Sequence, residues 1–536
     1  MPMTQDQRWE PPGPGRWLLE RDASRTATFY RRSIDSAPIE RGWQRAIERY
    51  RLPLGGVRHA TVNGWPYLQF VQPMGRRIGL AASATAPWFE APAHRAWRED
   101  AMQWLDSDRT ARIERNLALQ EVVPALLSDR ELAAHLAAAT TNDISGQEYL
   151  QAGAAGLLVV GEYLLACEAW GFDSHVVVDL LYGSSSTAAD VQRHLADVAA
   201  PFRTRGVVPE ALEQIESEPE ASAGFHDYLR NWGWRLLGED LDDPALIELP
   251  SLLLASVAAA ASHPRQLRPP SDPPDRWAGL SSHDAARFDR LVADGRLAIA
   301  VREEVAGICG NWTRGLLRRA LLETSIRLND RGALLQLDHG VDLLPEEAMS
   351  LLRGHGGPAA ERIAERFAER AHQDLLAAPP ELSGHPSDVP DERSTASATR
   401  TAEALALASS LVATEPRPDQ LADTGDLVSG TGIGDTVVRA RALTVASESD
   451  APRLVEAGSI LVVPRVSTAL APVVPVLSGL VVETGGRLSH GAVLAAETAL
   501  PAVVGAMDAT ARLQSGSLVE LDATVGSIRV IEPATT

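Results

Sequence analysis

One histidine of this chain stands where phosphoryl chemistry would want it. Thr484-Gly485-Gly486-Arg487-Leu488-Ser489-His490-Gly491 puts His490 just past a double glycine, at the start of an apolar helical pattern that runs to Glu497. The preceding run, Gly479-Leu480-Val481-Val482-Glu483, predicts a buried strand. The glycines allow a tight turn that brings backbone N–H groups and the positive end of a helix dipole up to the imidazole. A neutral imidazole nitrogen is a good nucleophile near pH 7, and its phosphoramidate keeps enough transfer potential to pass the group on, which a serine or threonine ester would not. Thr484, Gly485 and Gly486 shape the loop, Ser489 can bond the ring or the backbone, and Arg487 is placed to add charge beside a phosphate. Taken alone, a histidine near glycines is more often a turn or cap residue. The surroundings of His490 reverse that weighting.

Those surroundings begin far upstream. From about residue 91 to 376 alanine and leucine dominate with apolar residues three and four apart, as in Ala111 to Leu127, Asp129 to Ala139, Gly156 to Trp170 and Leu316 to Arg331, which predicts a large, mainly α-helical domain. Residues 1–90 form an N-terminal segment in which Val57 to Val71, with Asn63-Gly64 at its centre, predicts a small hairpin. Residues 377–424 are rich in proline, serine, aspartate and threonine around an Ala/Leu helix at Thr401 to Val412, and read as a linker with a short hinge helix. Residues 425–536 change to short Val/Leu/Ile runs separated by glycine and proline, the texture of a small α/β domain.

Composition narrows the function. The 536 residues carry 50 basic and 71 acidic side chains, a net charge of −21, which argues against nucleic acid or an anionic membrane as partner. Cys167 and Cys309 lie in apolar helical stretches and read as buried core rather than as a disulfide or metal pair. Neither Leu157 to Leu165 nor Leu249 to Ala261 reaches the roughly 18 apolar residues that span a bilayer. These features lead to the expectation of a cytoplasmic protein without a metal site.

The order strand, Thr-Gly-Gly turn, Ser-His, helix, then Leu500-Pro501-Ala502-Val503-Val504-Gly505 resembles the phosphohistidine swivelling domain of phosphoenolpyruvate-utilising enzymes. The resemblance runs from about Leu427 to Ile531. It takes in Gly432-Ile433-Gly434, the strand Gly458 to Pro464, the Pro472 loop, and a closing hairpin of Gly516 to Asp522 with Gly526 to Val530. It implies that His490 takes a phosphoryl group at one site and delivers it at another. The chain departs from the family in carrying Ala496 where an arginine is usual and Ala523 where a glycine follows the hairpin aspartate. The helical part is similar to that of rifampin phosphotransferases through Phe225 to Glu239, Val301-Arg302-Glu303-Glu304, and Arg318 to Glu323. Trp17, Asp22 and Val62 to Tyr67 resemble the family's opening.

This likeness implies an acceptor site in the helical domain near Arg235, Glu239, Arg302 and Trp234, with Trp234 standing where the family has a histidine. Arg235 and Glu239, four apart, read equally well as a helix salt bridge. Trp65, Tyr67, Trp170, Trp232 and Trp234 read either as an aromatic acceptor pocket or, more often, as core, and His226 and His339 either as the nearest alternative bases or, more often, as surface or capping residues. No glycine-rich phosphate loop with a lysine follows a strand, and the chain stops soon after the last swivel strand. It therefore resembles the histidine-bearing subunit of split dikinases such as phenylphosphate synthase. The resemblance implies that an ATP-grasp partner subunit holds ATP and magnesium, that this chain binds no cofactor itself, and that the acceptor is a small aromatic or apolar hydroxylated molecule. The alternative is a phosphocarrier, regulatory or ligand-binding protein without its own acceptor turnover.

Overall fold

The computed structural model describes residues 9–20, 23, 25–52, 54–71, 92–271, 279–383, 396–413 and 427–534. The chain is multidomain, mainly helical, with a smaller α/β region at its C-terminal end. It forms two compact units. The first comprises Met1–Ala155, Asp240–Asp243 and Ile308–Ala402, and the second Gly156–Glu239, Pro244–Gly307 and Glu403–Thr536. This grouping differs from the four segments expected above, because the helical stretch 91–376 is divided between both units.

In the first unit, strands β1 (Arg16–Leu19), β2 (Gly56–Val62), β3 (Trp65–Val71) and β4 (Glu381–Ser383) form an antiparallel sheet of order β2-β3-β1-β4. Asn63 and Gly64, both at positive φ (48° and 81°), make the two-residue hairpin turn that their types foretell. Trp17, Trp65, Tyr67 and Leu382 fill one face of the sheet. Asp22, part of the expected family opening, lies outside the described residues.

Tyr30, Leu136, Leu317 and Leu321 join the helices Phe29–Tyr50, Asp129–Ala152 and Thr313–Asp330 into a buried core. The helix expected over 111–127 runs instead as Arg109–Glu121 and gives way to a short 3-10 turn, Pro124–Leu126, because proline disfavours helical backbone in the residue before it.

Residues 240–243 belong to this unit through ion pairs that no local pattern announces. Arg25 pairs with Asp242 and Asp243, Arg370 bridges Asp242 at 2.8 Å and Asp342 at 2.9 Å, and Thr28 donates to Asp240 at 2.7 Å. Arg314 lies between Asp35 (2.8 Å) and the fully buried Asp143 (3.4 Å). The sequence contains no lysine, so every such pair is a guanidinium–carboxylate contact with a rigid, permanently charged donor.

Among the described residues one helical run, 129–169, is long and apolar enough to cross a membrane by length and composition, with 65% of its most apolar window buried inside the protein. The expectation that no run reaches that length missed it because two helices, Asp129–Ala152 and Gly156–Ala169, follow each other through a single 3-10 turn. Cys167 and Cys309 are free thiols and fully buried, and burial pushes each up to about 12.

The second unit holds helices Gly156–Ala169, Ser186–Arg205 and Ser282–Val305, the hinge helix Ala396–Val412 from residue 403 onward, and an eight-stranded sheet. Its strands are β5 (Leu427–Ser429), β6 (Thr431–Ile433), β7 (Val437–Thr444), β8 (Ser459–Val463), β9 (Leu477–Val482), β10 (Ala502–Val504), β11 (Leu518–Asp522) and β12 (Ser527–Glu532). The order is β5-β12-β11-β7-β8-β9-β10-β6, parallel from β7 to β10 and antiparallel elsewhere.

β5 and β6 are separated by Gly430 alone, yet they stand at opposite ends of that order, so the sheet is rolled on itself. Gly432 permits the closure, since a Cβ there would collide with the backbone oxygen of Ala523. The closing hairpin turns on Gly526 (φ +72°) and on Asp522, which accepts N–H groups from Thr524 and Val525. Ala523 is therefore free to be a buried packing residue, and no glycine is needed after the aspartate.

Candidate active site

Strand β9 delivers the chain into the Thr-Gly-Gly turn. Thr484 fastens the turn by donating both its N–H (3.1 Å) and its hydroxyl (2.9 Å) to the carbonyl of Pro464. Gly485 sits at φ +110°, and a Cβ there would press on the Ser489 side chain at 2.8 Å. Gly486 and Leu488 donate their N–H groups to the carbonyls of Val412 (3.0 Å) and Leu411 (2.7 Å), so the exposed C-terminal carbonyls of the hinge helix are satisfied by the histidine loop. That helix extends from Ala396 to Val412, five residues further back than its apolar pattern indicates.

A side chain at Gly486 would collide with Leu411 O and approach Ala413 O at 2.9 Å. Gly486→Ala is accordingly expected to lift the loop from the hinge helix. Amide exchange at Leu488 should rise at least tenfold while the strands keep their protection.

Ser489 is the N-cap, its hydroxyl accepting from Ala492 N–H at 3.3 Å, and His490 is the first residue of the helix His490–Glu497. The imidazole does not face solvent unaided. Its Nδ1 lies 2.9 Å and 3.1 Å from the two carboxylate oxygens of Glu303, near the end of the helix Ser282–Val305. The Arg302 guanidinium is 3.4 Å from the same nitrogen and donates to Leu488 O at 3.1 Å. One nitrogen cannot donate to Glu303 and accept from Arg302 together. The shorter, two-oxygen contact assigns the proton to Nδ1, and Arg302 then acts as a neighbouring charge.

The consequence is chemical. With Nδ1 as donor, Nε2 carries the lone pair and is the nucleophile. Burial pushes the Glu303 carboxyl up, but the His490 ring and Arg302 outweigh it and hold the group below the ordinary glutamate range. It is thus an ionised carboxylate with 5% exposure, oriented to steady positive charge on the ring. Beside His490 lies a narrow crevice with about 10 Å³ of free space, room for little more than one water, whose lining includes Ser185, Thr187, Glu303, Thr468 and Glu497.

The other residues singled out above are placed differently from one another. The Arg487 guanidinium pairs with Asp179 at 2.8 Å, and its carbonyl accepts from the Tyr182 hydroxyl at 2.5 Å. The positive charge next to His490 is therefore Arg302, one of the four acceptor-site candidates, and not Arg487. Arg235, Glu239 and Trp234 do not line the crevice.

The helix carrying that segment ends in a π-helical turn, Leu229–Gly233, before Arg235 is reached. Arg235 and Glu239 therefore do not stand on one helix. Arg235 instead stacks on Trp232 with 3.8 Å to the ring centre, and burial draws its guanidinium down to about 10.

Trp65 and Tyr67 are in the first unit and Trp170, Trp232 and Trp234 in the second, so these aromatics do not share a single core. His226 is exposed and bonded to Ser222 O, whereas His339 is buried against Phe367 in the first unit. Sequence reasoning missed Glu303 as a site residue. Its signal was the Arg302-Glu303-Glu304 run, carboxylates beside a guanidinium near the end of an otherwise apolar-faced helix. It also missed Glu497, treated above only as the end of the histidine helix.

Comparison with known proteins agrees with this geometry. Residues 455–526 match the family model described as PEP-utilising enzyme, mobile domain. A rifampicin phosphotransferase of Streptomyces sp is 26% identical over 393 residues, which is 66% of this chain and 41% of that protein. A second, from Streptomyces sviceus, is 40% identical over 93 residues, 17% of this chain and 10% of the relative. A pyruvate kinase of Lactobacillus delbrueckii subsp. bulgaricus is 35% identical over 102 residues, 19% of this chain and 17% of that enzyme. The chain spans about two fifths, or less, of the length of these relatives. With its rolled sheet, its Thr-Gly-Gly turn and a histidine opening the following helix, the chain matches the mobile domain of phosphoenolpyruvate-utilising enzymes over residues 455–526 and is similar beyond it to a rifampicin phosphotransferase.

Proposed function

We propose that this chain is the histidine-bearing subunit of a dikinase-like phosphotransferase. Nε2 of His490 attacks a donor phosphorus, the bond from that phosphorus to its leaving oxygen breaks, and an N–P bond forms. In the second step a hydroxyl oxygen of the acceptor attacks, the N–P bond returns its electrons to Nε2, and the hydroxyl proton is released to water. The observation that carries this reading is the pairing of His490 Nδ1 with the ionised, buried Glu303, which leaves Nε2 free at a helix N-terminus. Arg302 supports it by offering the positive charge that Ala496 does not.

The donor is ATP with magnesium on an ATP-grasp subunit acting in trans. The matched rifampicin phosphotransferase of Streptomyces sp extends well beyond the part this chain covers, which leaves room for a donor site outside these residues. The acceptor is a small aromatic or apolar hydroxylated molecule, a class favoured by the similarity to a rifampicin phosphotransferase; the crevice beside His490 is too narrow to receive it without movement. The buried Ala496 favours a second reading, a phosphocarrier that is loaded but turns nothing over.

The test is phosphoryl trapping with ATP labelled at the β or γ position, in lysate of the host, beside His490→Ala. Acid-labile, base-stable label on the wild type and none on the variant is the expected result, and the labelled position identifies the donor phosphate. Label that persists through an acceptor screen supports the carrier. No label, with phosphoenolpyruvate also tried, overturns both.

A further inference from the structure

At the far end of the histidine helix from His490, the carboxyl of Glu497 is held in an unusual way. Its Oε1 accepts the backbone N–H groups of three successive residues, Gly183 (3.0 Å), Ser184 (3.1 Å) and Ser185 (3.1 Å). Ser185 is the N-cap of the 20-residue helix Ser186–Arg205. Gly183 takes φ +85°, and a Cβ there would strike the backbone of Pro269 and Pro270, so the loop is packed in a shape that turns its donors one way. The carbonyl of Glu497 also accepts from Arg268 N–H at 3.2 Å. Such a grip has no part in the phosphoryl steps above, and it fastens the helix that bears His490 to the loop that opens the helix Ser186–Arg205.

We propose that Glu497 is a positioning residue, a clasp whose carboxyl engages the Gly183–Ser185 loop and so holds His490 in the arrangement where it meets Glu303. The role rests on the reading of His490 as the phosphoryl relay, because only a relay that must dock and leave again needs a releasable fastening. Tyr182 with Arg487 O, Arg487 with Asp179, and Arg302 with Leu488 O add polar contacts to the same face.

The clasp is linked to a proton. Burial pushes Glu497 up to about 7, the three N–H donors pull against it, and the charge of Glu303 adds to the rise. The groups that face it are Glu303 and Arg302 on the helix Ser282–Val305, His490 on its own helix, and Tyr182 and Arg268 on either side of the loop. Asp190, on the helix Ser186–Arg205, is paired with Arg193. β6, β10 and the turn Thr468–Leu470, which pack on the histidine helix, carry no titratable side chain.

A carboxyl that binds its proton more tightly when clasped than when released makes clasping stronger as pH falls. With about 7 for the clasped group against 4.5 for a free glutamate, the clasped population ratio rises about tenfold from pH 8 to pH 6.

Amide hydrogen exchange on the full chain tests this without any phosphoryl donor. In the wild type, protection of 183–185, corrected for intrinsic exchange, is expected to be about tenfold greater at pH 6 than at pH 8. Glu497→Gln keeps an accepting oxygen but cannot ionise, so it should protect the loop equally at both pH values. Glu497→Ala should lose at least tenfold of the protection at pH 6. Unchanged protection in Glu497→Ala, or a pH response that persists in Glu497→Gln, overturns the clasp. Phosphoryl trapping on the same samples keeps the two ideas apart: absent label with the expected exchange pattern defeats the relay and leaves the fastening, and label with a flat exchange profile does the reverse.

Discussion

Glu303→Ala is expected to slow the labelling of His490 by about two to four orders of magnitude, the upper figure being the loss of about 10⁴ seen when a carboxylate that orients a catalytic imidazole is replaced. Two effects combine. Without the carboxylate the ring is free to rotate and to hold its proton on Nε2, which removes the nucleophile. The positive charge that develops on the ring as the N–P bond forms also loses its buried partner. Glu303→Gln separates them, since the amide oxygen still accepts from Nδ1–H while the charge is gone, and its rate should fall between those of the alanine variant and the wild type. Initial rates of acid-labile label, with the donor lysate held constant, measure both. Rates equal to wild type in the alanine variant would remove Glu303 from the mechanism and with it the argument for Nε2.

The second large effect is on stability and lies in the first unit. Arg314→Met is expected to destabilise that unit by about 3–5 kcal/mol, because it leaves the fully buried Asp143 without a cation, with only the Thr313 hydroxyl (3.0 Å) donating to it, beside Asp35, which keeps Arg31 at 2.7 Å. Urea unfolding followed at pH 7 and pH 5 reads the loss and its cause. Burial already pushes the Asp143 carboxyl up despite Arg314, and removal of the cation raises it further. A carboxyl whose folded-state affinity for protons exceeds its unfolded one gains stability as pH falls through the folded value, so the deficit of the variant should shrink at pH 5. Adding Asp143→Leu should recover part of the loss at pH 7. A deficit under about 1 kcal/mol in the single variant would mean that water reaches these carboxylates.

What could be read from the chain before folding followed the range of the forces involved. The strand β9, the Thr-Gly-Gly turn, Ser489 as cap and His490 at the head of a helix were legible because each depends on neighbours within a few residues. So were the Asn63-Gly64 hairpin and the β11–β12 hairpin. Glu303 was not, since it meets His490 across 187 residues, and nothing in Arg302-Glu303-Glu304 says which of the two carboxylates turns inward. The clasp of Glu497 escaped for the same reason, being built from backbone donors that any sequence possesses. Of the two readings of the aromatics, Trp65 and Tyr67 take the core one: tryptophans and tyrosines are core residues first, and these two pack within the small sheet of the first unit. The segment 240–243 joins the first unit through one buried leucine, Leu241, and through carboxylates that meet distant arginines and Thr28, which periodicity cannot register.

The rolling of the eight-stranded sheet has a colloidal consequence. A sheet of that width left open would offer two long rows of unpaired N–H and C=O groups, and a domain that repeatedly leaves its seat would carry them into contact with other chains. Here the two outermost strands are only three residues each, β5 and β6, and one glycine ties them together. Little backbone remains to template the addition of a foreign strand, so under the relay proposed above an undocked histidine domain would not seed aggregates in a crowded solution.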